Sequence, residues 1–457
     1  MSEQNKSVVV ENKMGVMPVG KLLVNMSVPM MCSMLVQALY NVVDSIFVAQ
    51  VCEDALTAVS LAFPLQSLLI AIGAGTGVGI NALVSRALGE KDGDRASKVA
   101  MNGIFLSICS YFLFLIIGLT CVKPFYMAQT DSQVIYNYGV QYLTIVCTMS
   151  FGIFTQFVFE RLLQSTGRTL QTMYTQGLGA IINLILDPIL IFGLFGLPRL
   201  EVAGAAIATV IGQIVAGITA IIINLKSNPE IKFEVKGFKP DMSIIKNIYG
   251  IGVPSIIMQS IGSVMVFGLN KILMAFSSTA VAVFGVYFKL QSFIFMPVFG
   301  LNNGMIPIIA FNYGARNRKR MMDTYKYALI YAFAIMMVGV VLFETIPGAL
   351  FGLFSASDNM MSMGSVALRI IAVHFPVAAI CIVTGSLFQA LGKAVYSMIN
   401  SIMRQLVVLL PAAYLLALSG NVNNVWWCLP IAEVMSGLVT LYFFFKIKKE
   451  IIDNITH

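Results

Sequence analysis

Twelve long apolar runs set the terms for this chain. They lie at about residues 22–50, 56–84, 99–122, 139–160, 170–195, 201–225, 247–276, 280–308, 326–346, 364–388, 396–419 and 424–446. A helix needs roughly 20 residues to cross a hydrocarbon core, and each run meets that length. Only 11% of the 457 residues are charged, against about a quarter in a soluble domain. Most segments must therefore face lipid or each other. Within a bilayer, backbone polar groups can be satisfied only in helices or a closed barrel. Barrel strands alternate apolar and polar residues, and these runs do not alternate. The expected fold is all-α and integral to the membrane, with twelve transmembrane helices.

The net charge of +8 resides in loops. Lys6, Lys13 and Lys21 precede the first run, and Arg86, Lys91, Arg95 and Lys98 follow the second. Lys226, Lys232, Lys236, Lys239 and Lys246 separate the sixth from the seventh. Arg316, Arg318, Lys319, Arg320 and Lys326 follow the eighth, and Lys446, Lys448 and Lys449 end the last. With alternating helices these loops share one side, opposite Lys123 and Arg199. The positive-inside rule then makes both termini cytoplasmic. The polar residues 1–20 lack the apolar core of a removable signal peptide, so the first helix is expected to serve as the targeting signal. The seven cysteines are scattered and read as packing residues, and the two histidines, His374 and His457, exclude a zinc or haem site. No structural metal and no cofactor are expected. The basic charge gives no nucleic-acid signal. The glycine-rich stretch Gly73–Gly79 lacks the Gly-Lys-Ser/Thr of a phosphate loop, so no ATP site is expected; it reads as helix packing or a hinge. Arg86 with Glu90, and Arg316, are expected to order the loops they occupy.

The chain also repeats. Gly89 in V-S-R-A-L-G-E-K-D and Gly314 in A-F-N-Y-G-A-R-N lie 225 residues apart. The same offset aligns S-V-P at Ser27–Pro29 with G-V-P at Gly252–Pro254, Ala55–Leu65 with Ala280–Leu290, and Q-S-T-G-R at Gln164–Arg168 with Q-A-L-G-K at Gln389–Lys393. Each half holds six spans, an even number, so both enter the membrane in the same direction. That is a parallel repeat with a pseudo-twofold axis along the membrane normal. The expected organisation is an N-terminal lobe at 1–225, a cytoplasmic linker at 226–246 and a C-terminal lobe at 247–457. Two such lobes enclose a central cleft, and secondary transporters rock them to alternate access.

The stretches L-Y-N-V-V-D-S-I-F-V (Leu39–Val48), V-S-R-A-L-G-E-K-D, Q-S-T-G-R, N-L-I-L-D-P-I-L-I-F-G (Asn183–Gly193) and K-L-Q-S-F (Lys289–Phe293) together resemble the multidrug and toxic compound extrusion (MATE) family, most closely its DinF/MepA-like branch. The resemblance spans both halves. It implies a twelve-helix antiporter that exports bulky cationic or amphiphilic compounds, drugs or toxic metabolites, against protons or sodium ions. The chain would work in the lipid bilayer as a monomer.

Polar residues inside the spans are the candidates for chemistry. Ser33, Gln37, Asn41 and Asp44 recur at helical spacing and share one face, bordered by Tyr40. In the fifth span Thr172, Gln176, Asn183 and Asp187 do likewise, with Gly179 admitting a close neighbour. An Asp at mid-span costs about 2.5–3.5 kcal/mol. The offset pairs Asp44 with Leu269 and Asp187 with Ala412, so the second half builds the same helices without these acids. That assigns them to a function of the N-terminal half; the alternative for Asp187, which precedes Pro188, is to serve backbone groups freed there. Asp44 and Asp187 are the expected coupling-ion residues. They would share a proton, or stay ionised around sodium with an oxygen from Asn183. Thr209 resembles a residue the family places beside this ion. The substrate cleft is expected to mix Gln37, Tyr40, Asn41 and Gln176 with the adaptable groups Phe63, Phe154, Phe157, Met258, Phe284 and Tyr287. Lys289 and Glu433 are a conceivable pair in the C-terminal half. No nucleophile, base or metal-ligand constellation suggests an enzyme. The rival function is a lipid-linked precursor flippase, which would need several Arg or Lys along the cleft.

Overall fold

The computed structural model describes residues 12–354 and 357–455; Lys6, His457 and the first half of the polar leader lie outside them. The described chain is helical throughout. The N-terminal half holds α1 (Val19–Ala49), α2 (Glu53–Gly89), α3 (Gly93–Thr120), α4 (Gln133–Thr148), α5 (Phe151–Ser165), α6 (Thr169–Phe192) and α7 (Glu201–Ser227). The C-terminal half holds α8 (Met242–Met274), α9 (Ser278–Gly314), α10 (Arg318–Thr345), α11 (Asp358–Ala372), α12 (Phe375–Ala390), α13 (Ala394–Ala417) and α14 (Cys428–Glu450). Among the described residues, ten helices are long and apolar enough to cross a membrane. The pairs α4–α5 and α11–α12, bent by 44° and 52°, each supply one more span and bring the total to twelve. Apolar side chains such as Phe112, Ile116, Leu119, Val338 and Leu438 lie exposed on the outer helices, which a bilayer accommodates and water does not.

The 225-residue repeat extends to the caps. Helices α2 and α9 start and stop at equivalent residues, as do α3 and α10. Cys52 and Ser277 sit at equivalent N-caps and accept from the amides of Ala55 and Ala280. Asp92 and Asn317 do the same for α3 and α10, and Ser132 and Ser357 for α4 and α11. Side-chain oxygens at these places satisfy amides that the helix itself leaves free. Just beyond α2 and α9, Lys91 and Arg316 both take a left-handed backbone, with φ of 60° and 56°.

The halves meet through α1 on α9 and α2 on α8, contacts that a twofold axis interchanges. Glycines let the backbones touch. A Cβ on Gly75 would lie 2.5 Å from Ile256, and one on the equivalent Gly300 would lie 2.5 Å from Met31. At the tips, the backbone oxygen of Phe311 fills the place of a Gly89 Cβ, and that of Arg86 fills the place of a Gly314 Cβ. The glycine-rich stretch of α2 is thus a packing surface. These contacts run from mid-helix, at Gly75 and Gly300, to the tips that carry the basic loops. There the Asn312 amide and the Arg320 guanidinium donate to the Met14 carbonyl at 3.2 and 3.1 Å, and Arg320 also donates to Met17 at 2.7 Å. The Ser27 hydroxyl donates to the Leu301 carbonyl at 3.2 Å. The lobes are zipped at this basic end.

Candidate functional site

A polar cavity of about 150 Å³ lies wholly within the N-terminal half, walled by α1, α2, α4, α5, α6 and α7. Helix α1 contributes Ser33, Gln37, Tyr40 and Asn41, and α6 contributes Gln176, Gly179 and Asn183. Both sets follow the stripes of side chains that recur every three to four residues. Close packing of α6 on α7 shapes the wall. A Cβ on Gly179 would lie 2.9 Å from the Gly212 carbonyl oxygen, and one on Gly212 would lie 2.6 Å from that of Gly179. Only paired glycines allow this approach, and it carries Thr209 to Asn183.

One turn beyond Asn41 and Asn183 stand Asp44 and Asp187. Their carboxyl groups lie within hydrogen-bonding reach of each other, and Tyr40 stands beside both. Asp187 is fully buried and Asn183 nearly so. With the Asn183 amide assigned so that its oxygen meets donors, its nitrogen donates to Asp187 Oδ2 at 3.2 Å and its oxygen accepts from the Thr209 backbone N–H at 3.0 Å and hydroxyl at 3.2 Å. Two carboxyl groups in contact require a proton or a cation between them, because like charges this close cannot both persist. Asp44 Oδ1 has no protein partner. No group of three or more His, Cys, Asp or Glu suited to a metal occurs among the described residues.

The other end of the cavity holds an acid that the sequence reading overlooked. Glu160 on α5 is only 2% exposed. One oxygen accepts from the Gln156 amide at 3.0 Å and the Thr175 hydroxyl at 2.9 Å, and the other from the Gln176 amide at 2.7 Å. All three donors are neutral. The adjacent Arg161 points elsewhere, donating to Gln164 at 2.9 Å and, across the lobe boundary, to Asn303 at 3.1 Å. Two signals for Glu160 were present in the sequence: the run Gln156–Glu160–Gln164 at four-residue spacing, and the repeat, which sets Gly385 opposite it. It stands at the last residue of its apolar run and next to an arginine.

The aromatic candidates disperse. Phe157 lines the cavity together with Gln37, Tyr40, Asn41 and Gln176. Phe154 is buried against Phe114, with ring centres 5.7 Å apart. Phe284 and Tyr287 are buried in the core of the C-terminal half, Phe63 is exposed, and Met258 is half-buried on α8 outside the cavity. Glu433 does not pair with Lys289. It binds Arg404 at 3.0 Å, on a stretch of π-helix within α13 (Met403–Leu409), while Lys289 lies over the Phe354 ring at 6.0 Å.

Comparison with known proteins reproduces the repeat. The MatE family model matches residues 29–189 and again residues 254–415. The chain belongs to the MatE family. Over 432 residues it is 27% identical to the multidrug export protein MepA of Staphylococcus haemolyticus, covering 94% of each chain. Over 436 residues it is 26% identical to MepA of Staphylococcus aureus, again at 94% of each. Among solved structures, an outward-facing multidrug resistance MATE family transporter of the MOP superfamily superposes with a TM-score of 0.91 at 26% identity, covering 96% of this chain and 98% of that one. A MOP superfamily transporter from Pyrococcus furiosus, described as having a binding pocket of reverse polarity, gives 0.89 at the same identity and coverage. This MatE protein is therefore a multi-pass membrane transporter and not an enzyme.

Proposed function

We propose that this MatE protein is a secondary active multidrug exporter, antiporting bulky cationic or amphiphilic compounds against protons or sodium ions by rocking of its two lobes. The observation that carries the reading is the Asp44–Asp187 contact, built in one half and replaced by Leu269 and Ala412 in the other. A carboxyl pair held beside a polar cavity can take up and release a cation as its access to water changes. One elementary charge moving down a membrane potential supplies about 2.3 kcal/mol per 100 mV, enough for modest uphill export.

Glu160 fits the part of counter-charge for the substrate. It is a buried carboxylate ringed by neutral amides and a hydroxyl, which a cation can displace, and no Lys or Arg lines the cavity. That lining argues against a flippase for phosphate-bearing lipids. Pockets for drug-sized ligands measure roughly 300–1,000 Å³, twice this cavity or more, so in this reading the cavity widens, with α1 swinging away from α6, to admit one. Pro29 interrupts the hydrogen bonding of α1 on the near side of the cavity and offers the bending point. The basic end, with both termini, faces the cytoplasm in this reading, and the protein works as a monomer without ATP.

The test is uptake of a fluorescent cation into proteoliposomes, driven in turn by a pH gradient and by a sodium gradient. Export on one gradient alone identifies the ion. Export that proceeds equally with neither gradient, or that continues in full in Asp44→Asn, would sink the coupling assignment.

A further inference from the structure

A second cavity, of about 500 Å³, opens at the seam between the lobes at the basic end. Arg86 on α2 and Arg95 on α3 enter it from the N-terminal half. Lys246 on α8, Tyr313 on α9 and Lys393 before α13 enter from the C-terminal half. Arg86 is fixed in place, its guanidinium 4.7 Å from the centre of the Tyr313 ring and 2.9 Å from Glu90, which also holds Arg95 at 2.7 Å. That one carboxylate serves both arginines. Lys246 and Lys393 have no acid within ion-pairing distance among the described residues. Four basic groups thus line a cavity to which no Asp or Glu contributes among the described residues, the one paired carboxylate, Glu90, standing outside the lining.

The repeat supplies an internal comparison. Lys393 closes Q-A-L-G-K, the counterpart of Arg168 in Q-S-T-G-R. In the N-terminal half Arg168 finds its carboxylate within the chain: it binds Glu230 of the linker and the side-chain oxygen of Asn228, and Asn12 binds the same Glu230. The C-terminal copy faces the open cavity instead. An acid from the chain fills one site; among the described residues none fills its equivalent. The groups that frame it suit a phosphate: planar guanidinium forks match its oxygens two at a time, and lysines add point charge.

We propose that this cavity binds a phosphate-bearing anion. Because the basic groups come from both lobes, the bound anion ties them together at the end where they already meet. The chemistry is common to an anionic phospholipid headgroup and to a free phosphorylated solute, and the test separates the two. Thermal unfolding of the purified protein in neutral detergent is followed with added inorganic pyrophosphate, phosphatidylglycerol or phosphatidylcholine, at matched ionic strength. Pyrophosphate alone raising the midpoint identifies a soluble phosphate. Phosphatidylglycerol alone identifies a lipid headgroup, and both together a site open to either. In Lys246→Gln/Lys393→Gln the apparent affinity should fall roughly three- to tenfold, from two exposed ion pairs lost. Lys236→Gln/Lys239→Gln, with the same loss of charge on the exposed linker, should respond as wild type. No stabilisation by either anion, an unaltered response in the cavity variant, or an equal loss in the linker variant would each overturn the proposal.

Discussion

A carboxyl group touching another carboxyl group is useful only while something sits between them. Asp44→Asn keeps the shape of the side chain and can still hydrogen bond to Asp187, so the fold should survive. The charge change that couples transport to an ion should not, and gradient-driven export should drop at least about tenfold, a loss of roughly 1.4 kcal/mol of driving interaction, measured in proteoliposomes at equal protein load. Glu160→Gln separates the second acid from the first. It should weaken binding of a permanent monocation such as tetraphenylphosphonium, titrated by tryptophan-independent equilibrium dialysis, and leave a neutral ligand's binding unchanged. Equal weakening for both ligands would make Glu160 a structural residue. These acids differ in how visible they were. Asp44 and Asp187 stand out because hydrocarbon surrounds them in sequence and the repeat does without them. Glu160 has the same credentials, yet an arginine follows it and its helix breaks at Met149–Ser150, so its depth is evident only once α4 and α5 are seen as one bent span. The aromatics were the least legible. Phe284 and Tyr287 turn into the C-terminal core because α10 and α12 pack on α9, and no local spacing encodes which face of a uniformly apolar helix a partner will cover.

At the scale of elements, glycine decides how near two helices come. Gly314 has no room for a side chain, since the Arg86 carbonyl oxygen stands 2.1 Å from where a Cβ would be and the Glu90 amide nitrogen 3.1 Å. Backbone cannot step aside as a side chain can, so Gly314→Ala must push α9 away from α2. Overpacking of this kind costs about 1–3 kcal/mol. The thermal midpoint should therefore fall by several degrees, while Gly250→Ala on α8, where a Cβ meets nothing within 4 Å, should unfold close to wild type apart from its small gain in helix propensity. A midpoint for Gly314→Ala equal to that of Gly250→Ala would show that the tips do not pack as described. The spans themselves were readable from hydropathy because twenty apolar residues in a row have few other fates. Their ends were not: the caps at Cys52 and Ser277 start α2 and α9 at the far side, while backbone contact at the Gly89 and Gly314 tips carries both helices past their apolar runs into the basic loops.

For the molecule as a whole, the proposed cycle needs the zipped basic end to open, and the bonds that cross it set how often it does. Arg161 couples that seam to the cavity. It follows Glu160 directly in α5, lies against Gly77 of α2, where a Cβ would meet its Cγ at 2.8 Å, and reaches Asn303 of α9 on the far lobe. Asn303→Ala removes the acceptor on the far lobe and leaves Arg161 its bond to Gln164, so neither lobe loses its own fold. Removing a bond to a charged donor costs about 1.5–3 kcal/mol in the state that makes it. The population open at the basic end should rise by roughly an order of magnitude. A single cysteine placed at Gly304, in a background without the seven native cysteines, should then react faster with a membrane-impermeant maleimide applied from the basic side in Asn303→Ala than with Asn303 intact. Gly304 suits the purpose because Ser27 of the other lobe covers it directly, so it is reachable only when the lobes part, and the reference reaction with Asn303 intact absorbs any strain the cysteine itself adds. Equal rates would mean that Arg161 and Asn303 do not hold the lobes together. A faster rate with unchanged transport would mean that opening at this end is not the slow step of the cycle.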